Sequence, residues 1–193
     1  MKKIFIDGGV NDGRSIDLFR KKWPDAKEYE IHSFECNPRF SSILNRKGVC
    51  FHNTAVWIKD EEIDFYLGNP LGSSLCKDKF TGNLNKNPIK VQGIDLAKFI
   101  TENFLKEDYI VLKLDIEGGE YDVLPHLIKE NIIPDYINEL YGEWHGNKIT
   151  PIDYWIDFSH KLEKELDSLG FMMEGHHWCA PKNIVNRDYY LKK

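Results

Sequence analysis

The sequence predicts an α/β fold with a single doubly wound, mostly parallel sheet and helices on both faces. Three observations carry that expectation. Short apolar runs alternate along the chain with longer stretches of helical spacing, the order that strand–helix units produce. The runs at 3–8 (KIFIDG) and 109–115 (YIVLKLD) are nearly continuous rather than alternating, as strands covered on both faces are. The first of them ends in glycines that lead into a helix, and sheets of this class bind ligands at such carboxyl ends.

The elements follow in order. After the strand at 3–8, Ser15 caps a helix carrying Ile16, Leu18, Phe19 and Trp23 that stops at Pro24. A second strand covers 29–35 (YEIHSFE), and the next helix opens near Pro38 and Arg39 and closes at Gly48. Residues 49–57 (VCFHNTAVW) make a third strand, and 62–67 (EIDFYL) alternate as a hairpin arm at an edge does. Gly, Asn, Ser and Pro without period mark 68–88 as a long surface loop, a length that usually carries function. A strand at 89–94 precedes a helix at 95–105 with Asp95 as its cap, and 109–115 is the central buried strand. A helix from Gly119 to Asn131 is kinked or shortened by Pro125. A strand at 136–141, an amphipathic helix at 151–169 ended by Gly170, and strands at 171–174 and 184–191 close the chain.

At 193 residues the chain buries about 70% of its unfolded surface and needs no disulfide or zinc to fold. No repeat, low-complexity tract or linker interrupts it, so one domain over 1–193 is expected. A net charge of −5 argues against general binding to nucleic acid or anionic membranes, which reward a basic field. Cys36, Cys50, Cys76 and Cys179 form no CxxC pair and read as reduced thiols of a cytoplasmic protein. No apolar run approaches a membrane span, and MKKIFIDGG is too short an apolar stretch for a signal-peptide core.

The glycine turn is the first chemical feature. Asp7-Gly8-Gly9-Val10-Asn11-Asp12-Gly13 misses the dinucleotide pattern GxGxxG, because Val10 stands where its middle glycine belongs. It fits Asp7-x-Gly9-x-Asn11-x-Gly13 instead, and an acid leading the turn can hold a ligand's ammonium group. Glu35 lies 22 residues beyond Gly13, near the roughly 20-residue offset of an acid that accepts ribose hydroxyls.

Together with these, the segments IDGGVNDGRS, FECNP, NTAVW, GSSL, LKLDIEGGEYDVL and GEWH resemble the FkbM-type S-adenosylmethionine-dependent methyltransferases over residues 4 to 145. The resemblance implies a class I Rossmann-like methyltransferase fold and O-methylation, often of sugars or natural-product hydroxyls. It implies that Asp7, Gly8, Gly9 and Asn11 surround the methionine part of S-adenosyl-L-methionine, Glu35 its ribose, and Asn53 with Ala55 the adenine edge. Two positions depart from the family pattern. Gly119 replaces the usual alanine of the EGAE block, and Pro125 interrupts the helix after it.

Methyl transfer from a sulfonium requires the acceptor oxygen behind the methyl carbon and a base that begins to take its proton. Asp115 and Glu117, two apart at a strand end, face one side in extended geometry; Asp115 is placed where cofactor and acceptor meet. Glu120 has a structural reading at the helix's first turn, worth about 0.3–1 kcal/mol through the dipole. Glu143 and His145 follow the next strand, and His145 and Asp115 are the rival candidates for the base. Hard oxygens at Asp115, Glu117 and Glu143 with His145 would suit Mg²⁺, but nothing in the spacing demands an ion and no metal is expected. By the resemblance Ser73 and Ser74 match paired serines that hydrogen-bond an acceptor, with His145 beside them.

His176, His177 and Cys179 lack the second ligand pair of a zinc site. Trp144, Trp155 and Trp178 offer a stacking face for a sugar, although core packing accounts for at least two of them. Two other classes remain open: a binding module of this fold that has lost turnover, and a nicotinamide-dependent oxidoreductase, which Val10 disfavours. Because the glycine turn begins at residue 7, no amino-terminal helices are expected over the acceptor. The cleft is then covered by 68–88 and 145–155 alone, open to a glycan chain end unless a homodimer partner closes it.

Overall fold

In the computed structural model, residues 1–45, 47–68 and 72–175 are described. The first strand, β1 (Lys3–Gly8), leads into helix α1 (Arg14–Lys22), then β2 (Tyr29–Phe34) and the short helix α2 (Ser41–Leu44). Strands β3 (Cys50–His52), β4 (Ala55–Trp57), β5 (Glu62–Phe65) and β6 (Ile89–Asp95) follow, then α3 (Leu96–Asn103). The chain continues through β7 (Tyr109–Leu114), α4 (Glu120–Lys129), α5 (Ile132–Asp135), β8 (Ile137–Gly142), α6 (Ile152–Ser168) and β9 (Glu174–Gly175).

Among the described residues six strands pair in the order β3-β2-β1-β7-β8-β9, all parallel. The chain winds from β1 outward through β2 to β3, then returns to β7 on the other side of β1. The order therefore reverses between β1 and β7, and their carboxyl ends open a crevice. Strand residues alternate between two cores. Ile4, Ile6, Leu112 and Leu114 pack with residues of α3, α4 and α6 on one face. Phe5 and Val111 meet Ile16 and Phe19 of α1 and Leu44 of α2 on the other. The Phe5 and Phe19 rings stack at 4.1 Å. Burying each such side chain contributes about 1.5–3 kcal/mol, which is why the central runs are apolar on both faces.

Several local expectations change. Residues 49–57 are two strands in two sheets, not one. Glu35 donates its backbone N–H to the His52 carbonyl at 3.1 Å, and beyond that point β2 has turned away. Ala55–Trp57 pairs instead with Gly93–Asp95, and β4, β6 and β5 form a second three-stranded sheet beside the expected one. The helix after β2 is a 3₁₀ turn, Pro38–Phe40, followed only by α2, because Ser41, Ser42 and Asn45 are weak helix formers. Gly13, not Ser15, occupies the cap of α1, and φ +82° there suits glycine alone among ordinary residues.

Asp95 caps α3 as expected, accepting from the Lys98 N–H at 3.2 Å. Pro125 lies inside α4 without ending it; the break comes at Asn131, with φ +56°, before α5. The strand expected at 184–191 lies outside the described residues. Among the described residues no helix is long and apolar enough to cross a membrane.

Candidate active site

Four strand ends meet at one edge of the parallel sheet. Beyond β1 the chain turns through Gly9 and Asn11, both with positive φ (+76° and +52°), and the Gly9 and Val10 N–H groups both donate to the Phe34 carbonyl. This ties the turn to the end of β2. On its other side the turn touches β7: a Cβ on Gly9 would lie 1.9 Å from the Asp115 carbonyl oxygen. Only glycine fits that approach.

Glu35 follows β2 and is buried. One carboxylate oxygen accepts from the Asn11 N–H at 2.9 Å and the other from the Asn37 N–H at 2.8 Å. Burial raises its pKa, and the two backbone donors oppose that rise. Each oxygen keeps a lone pair toward a cavity of about 690 Å³, counted with its open mouth. Gly9, Asn11, Glu35, Asp115 and Glu117 line the cavity on the strand-end side, and Ala55, Thr54 and Val56 line it from β4 and the turn before it. The Thr54 hydroxyl oxygen is buried without a hydrogen-bond partner. The Cys36 thiol, pushed up by burial, is inert there.

The turn after β7 is where acids gather. The strand ends at Leu114, so Asp115 and Glu117 do not face one side by strand alternation as expected. Glu117 takes φ +56°, and this left-handed turn aims both carboxylates at one place. Glu120 organises the turn from a fully buried position, accepting from the Ile116 N–H at 2.7 Å and the Gly118 N–H at 2.8 Å. Gly119 stands against the Ile116 side chain, so the departure from alanine lies away from the carboxylates.

His145, beyond β8, is wholly buried and does not line the cavity. Its Nδ1 meets Glu120 at 3.1 Å, while Nε2 lies 3.7, 3.5 and 3.6 Å from oxygens of Asp115, Glu117 and Glu143. Burial works against charge on the ring, but Glu120, Glu117 and Glu143 outweigh it and raise the pKa to about 9. Screened from the cavity, the ring is not placed to meet an acceptor there. Of the two rival bases, Asp115 reaches the cavity. Lysines partly balance the acids: Lys148 pairs with Glu143 at 2.8 Å, and the buried Lys79 with Glu117 at 3.1 Å.

The other expected site residues divide. Ser73 lines the cavity and accepts hydrogen bonds from the Gly68 N–H and the Asn37 side chain. Ser74 is fully buried and donates to the Glu117 carbonyl at 2.6 Å, a clamp rather than an acceptor contact. Asp7 is also fully buried, held by the Ser15 hydroxyl and by Lys113 at 2.9 Å, and lines no part of the cavity. Gly8 packs against β7, and Asn53 points to solvent while its neighbour Thr54 lines the cavity.

Residues of the expected 68–88 loop reach the site. The loop pairs with the 145–155 segment at Lys79 and Ile149 and supplies Gly72, Ser73 and Leu75 to the cavity wall. Trp144 is in the core, and Trp155 packs on Tyr121 with ring centroids 4.9 Å apart. Trp178, His176, His177 and Cys179 lie outside the described residues.

Sequence reasoning missed Phe34, Phe40, Phe65 and Leu75 as cavity walls, and nothing in their spacing marks them. It also missed two buried lysines. Lys113 carried a signal, since a lysine inside an otherwise apolar strand needs a partner.

Residues 7–173 match the family model of the methyltransferase FkbM domain, most of the 193-residue chain. No curated protein and no solved structure matches the sequence.

Proposed function

The chain belongs to the FkbM methyltransferase family, and from that premise we propose that it is an S-adenosylmethionine-dependent O-methyltransferase acting on a sugar hydroxyl of a glycan or glycosylated product. The observation that carries the reading is the placement of Glu35 beside the Gly9 turn at the sheet's switch point. A buried carboxylate with one backbone donor on each oxygen retains the acceptor capacity that a pair of ribose hydroxyls needs.

The residues present fit the cofactor. The orphaned Thr54 oxygen on the cavity wall lacks a partner that the polar edge of an adenine can supply. Phe34, Val56 and Phe65 provide apolar walls for the flat base, and Asp115 and Glu117 place negative charge where a sulfonium is favoured. Asp7 takes no direct part; its role is to hold the strands. When bound, the cofactor supplies an electrophilic methyl carbon on a charged sulfur.

The rest falls to the chain. Glu35 and the Gly9 turn fix one end of the cavity, and Ser73 on the loop wall offers a hydroxyl to an acceptor. Asp115 accepts a hydrogen bond from the acceptor hydroxyl and draws off its proton as the oxygen becomes nucleophilic, a contribution of about 10²–10⁴ in rate. Lys79 ties the loop to Glu117, pairing with its carboxylate at 3.1 Å and donating to the Gly72 carbonyl at 2.7 Å. The acceptor class rests on the family's association with sugar O-methylation.

Calorimetry with S-adenosylmethionine and its demethylated product tests the first half: one molecule of each is expected per chain. Transfer of a radiolabelled methyl group to a panel of glycans tests the second. A purified chain that binds neither compound ends the reading.

A further inference from the structure

We propose that Asp115, Glu143 and His145 form a binding site for one divalent cation beside the cavity, with Glu117 at its rim. The acids alone would not establish a site. The independent observation is the histidine: Nε2 is wholly buried and has no hydrogen-bond partner, yet it is aimed between three carboxylates.

Those distances, 3.5 to 3.7 Å, are too long for hydrogen bonds. They approach the roughly 3.4 Å edge between ligands that each bind one ion at about 2.0–2.2 Å in tetrahedral geometry. Ligand atoms of Asp115, Glu143 and His145 all lie within 4.8 Å of one another.

The far side of the ring supports the same assignment. Glu120 accepts from Nδ1, is fully buried, and is itself fixed by the Ile116 and Gly118 N–H groups. A carboxylate holding Nδ1–H turns the Nε2 lone pair outward, the arrangement that metal-binding histidines adopt. Without a proton or a cation at Nε2, that lone pair would confront three carboxylates in a dry site. Asp115, Glu117, Glu120 and Glu143 outnumber the lysines paired with them, Lys79, Lys148 and Lys113, and a divalent ion that takes the place of a proton on Nε2 adds positive charge where the acids meet. Mixed imidazole and carboxylate donors suit Mn²⁺ or Zn²⁺.

The catalytic meaning of the site rests on the methyl-transfer reading. Asp115 belongs to both cluster and cavity wall, so a cation there can polarise an oxygen entering the cavity. Occupancy is measurable without cofactor or acceptor. The full chain, stripped with a chelator, is titrated calorimetrically with MnCl₂, and with ZnCl₂ and MgCl₂ in parallel. One Mn²⁺ or Zn²⁺ per chain is expected. The Mn²⁺ complex should show imidazole nitrogen coupling by electron spin echo spectroscopy, lost in His145→Gln.

Glu143→Gln should weaken binding at least tenfold, and because its side chain is partly exposed it carries the test even if the histidine variant fails to fold. Absence of saturable binding, Mn²⁺ binding without nitrogen coupling, or affinity unchanged in Glu143→Gln overturns the site. Cation binding by a chain that does not bind S-adenosylmethionine leaves the site standing and removes the methyl-transfer reading. Cofactor binding without a cation does the reverse.

Discussion

Asp7 and Lys113 face each other across adjacent parallel strands, 2.9 Å apart, with neither side chain more than 2% exposed. They share the face of the sheet that α1 covers, and the Ser15 hydroxyl from α1 completes the carboxylate's shell. Removing one partner strands a charge in the interior. Lys113→Met should therefore cost about 3–5 kcal/mol in urea unfolding, and Asp7→Leu with Lys113→Met together should cost much less than that single change. Equal losses in the single and double variants would show that the pair is not coupled.

Glu35→Gln should weaken S-adenosylmethionine binding by about tenfold, roughly 1.4 kcal/mol. Because burial raises the pKa of Glu35, affinity in the unaltered protein should fall with decreasing pH through a midpoint above the ordinary glutamate value, and the glutamine variant should lack that midpoint. The sign for stability is opposite. A raised carboxyl pKa means that the folded state binds the proton more readily than the unfolded one, so ionisation costs stability at neutral pH. In the apo variant the amide offers one acceptor oxygen to the two backbone donors, so the loss of one of those hydrogen bonds, about 1 kcal/mol, should offset the relief of buried charge.

Thr54→Val removes an oxygen that has no partner in the apo protein. Melting of the apo chain should be unchanged or slightly higher, since up to about 1–3 kcal/mol of unmet desolvation disappears. Cofactor affinity should fall. A stability loss without an affinity loss would place the hydroxyl in a purely structural role.

His52 stacks on the Phe34 ring at 4.4 Å, and its Nε2 lies 3.0 Å from His32 Nδ1. Burial, reinforced by His32, pushes its pKa down to about 4. A histidine whose folded pKa is depressed contributes stability that is full above the unfolded value of about 6.5 and is lost progressively as pH falls toward 4. Urea midpoints at pH 7.5 and pH 5 should differ, and His52→Phe, which keeps the stack, should narrow the difference. An unchanged gap would assign the slope to other groups.

Gly9→Ala should destabilise the fold by about 3 kcal/mol or more, because its Cβ would strike the Asp115 carbonyl and its φ is +76°. Gly48→Ala is the control: φ is +62° but nothing lies within 4 Å of the added carbon, so it should cost about 1–2 kcal/mol. Comparable losses at both positions would show that backbone strain alone, and not the approach to β7, decides Gly9.

Much of the site was legible because its backbone demands leave local marks. Gly9 and Asn11 show as a turn that ordinary residues resist, and Glu35 by its distance along a βα unit. The cavity collects both, with Ala55, Ser73, Asp115 and Glu117. Asp7, Asn53, Ser74 and His145, expected from the resemblance and their positions to face a ligand, do not line that cavity. A polar residue near a strand end has two faces available, and nothing adjacent in sequence tells which one the opposing helix covers. Ser15 and Lys113, 8 and 106 residues away from Asp7, decided its direction.

The sequence by itself determined the parallel α/β fold, since periodicity and glycine punctuation are local, and it determined the family through LKLDIEGGEYDVL. Tertiary structure alone decided the electrostatics. Charges interact through space at a few ångströms and in proportion to how dry their surroundings are, and neither quantity is written in chain order. His145 is neutral and reactive as a lone residue in GEWH. Enclosed by Asp115, Glu117, Glu120 and Glu143, which come from the turn after β7, the start of α4 and the end of β8, it becomes a wholly buried group with a raised pKa.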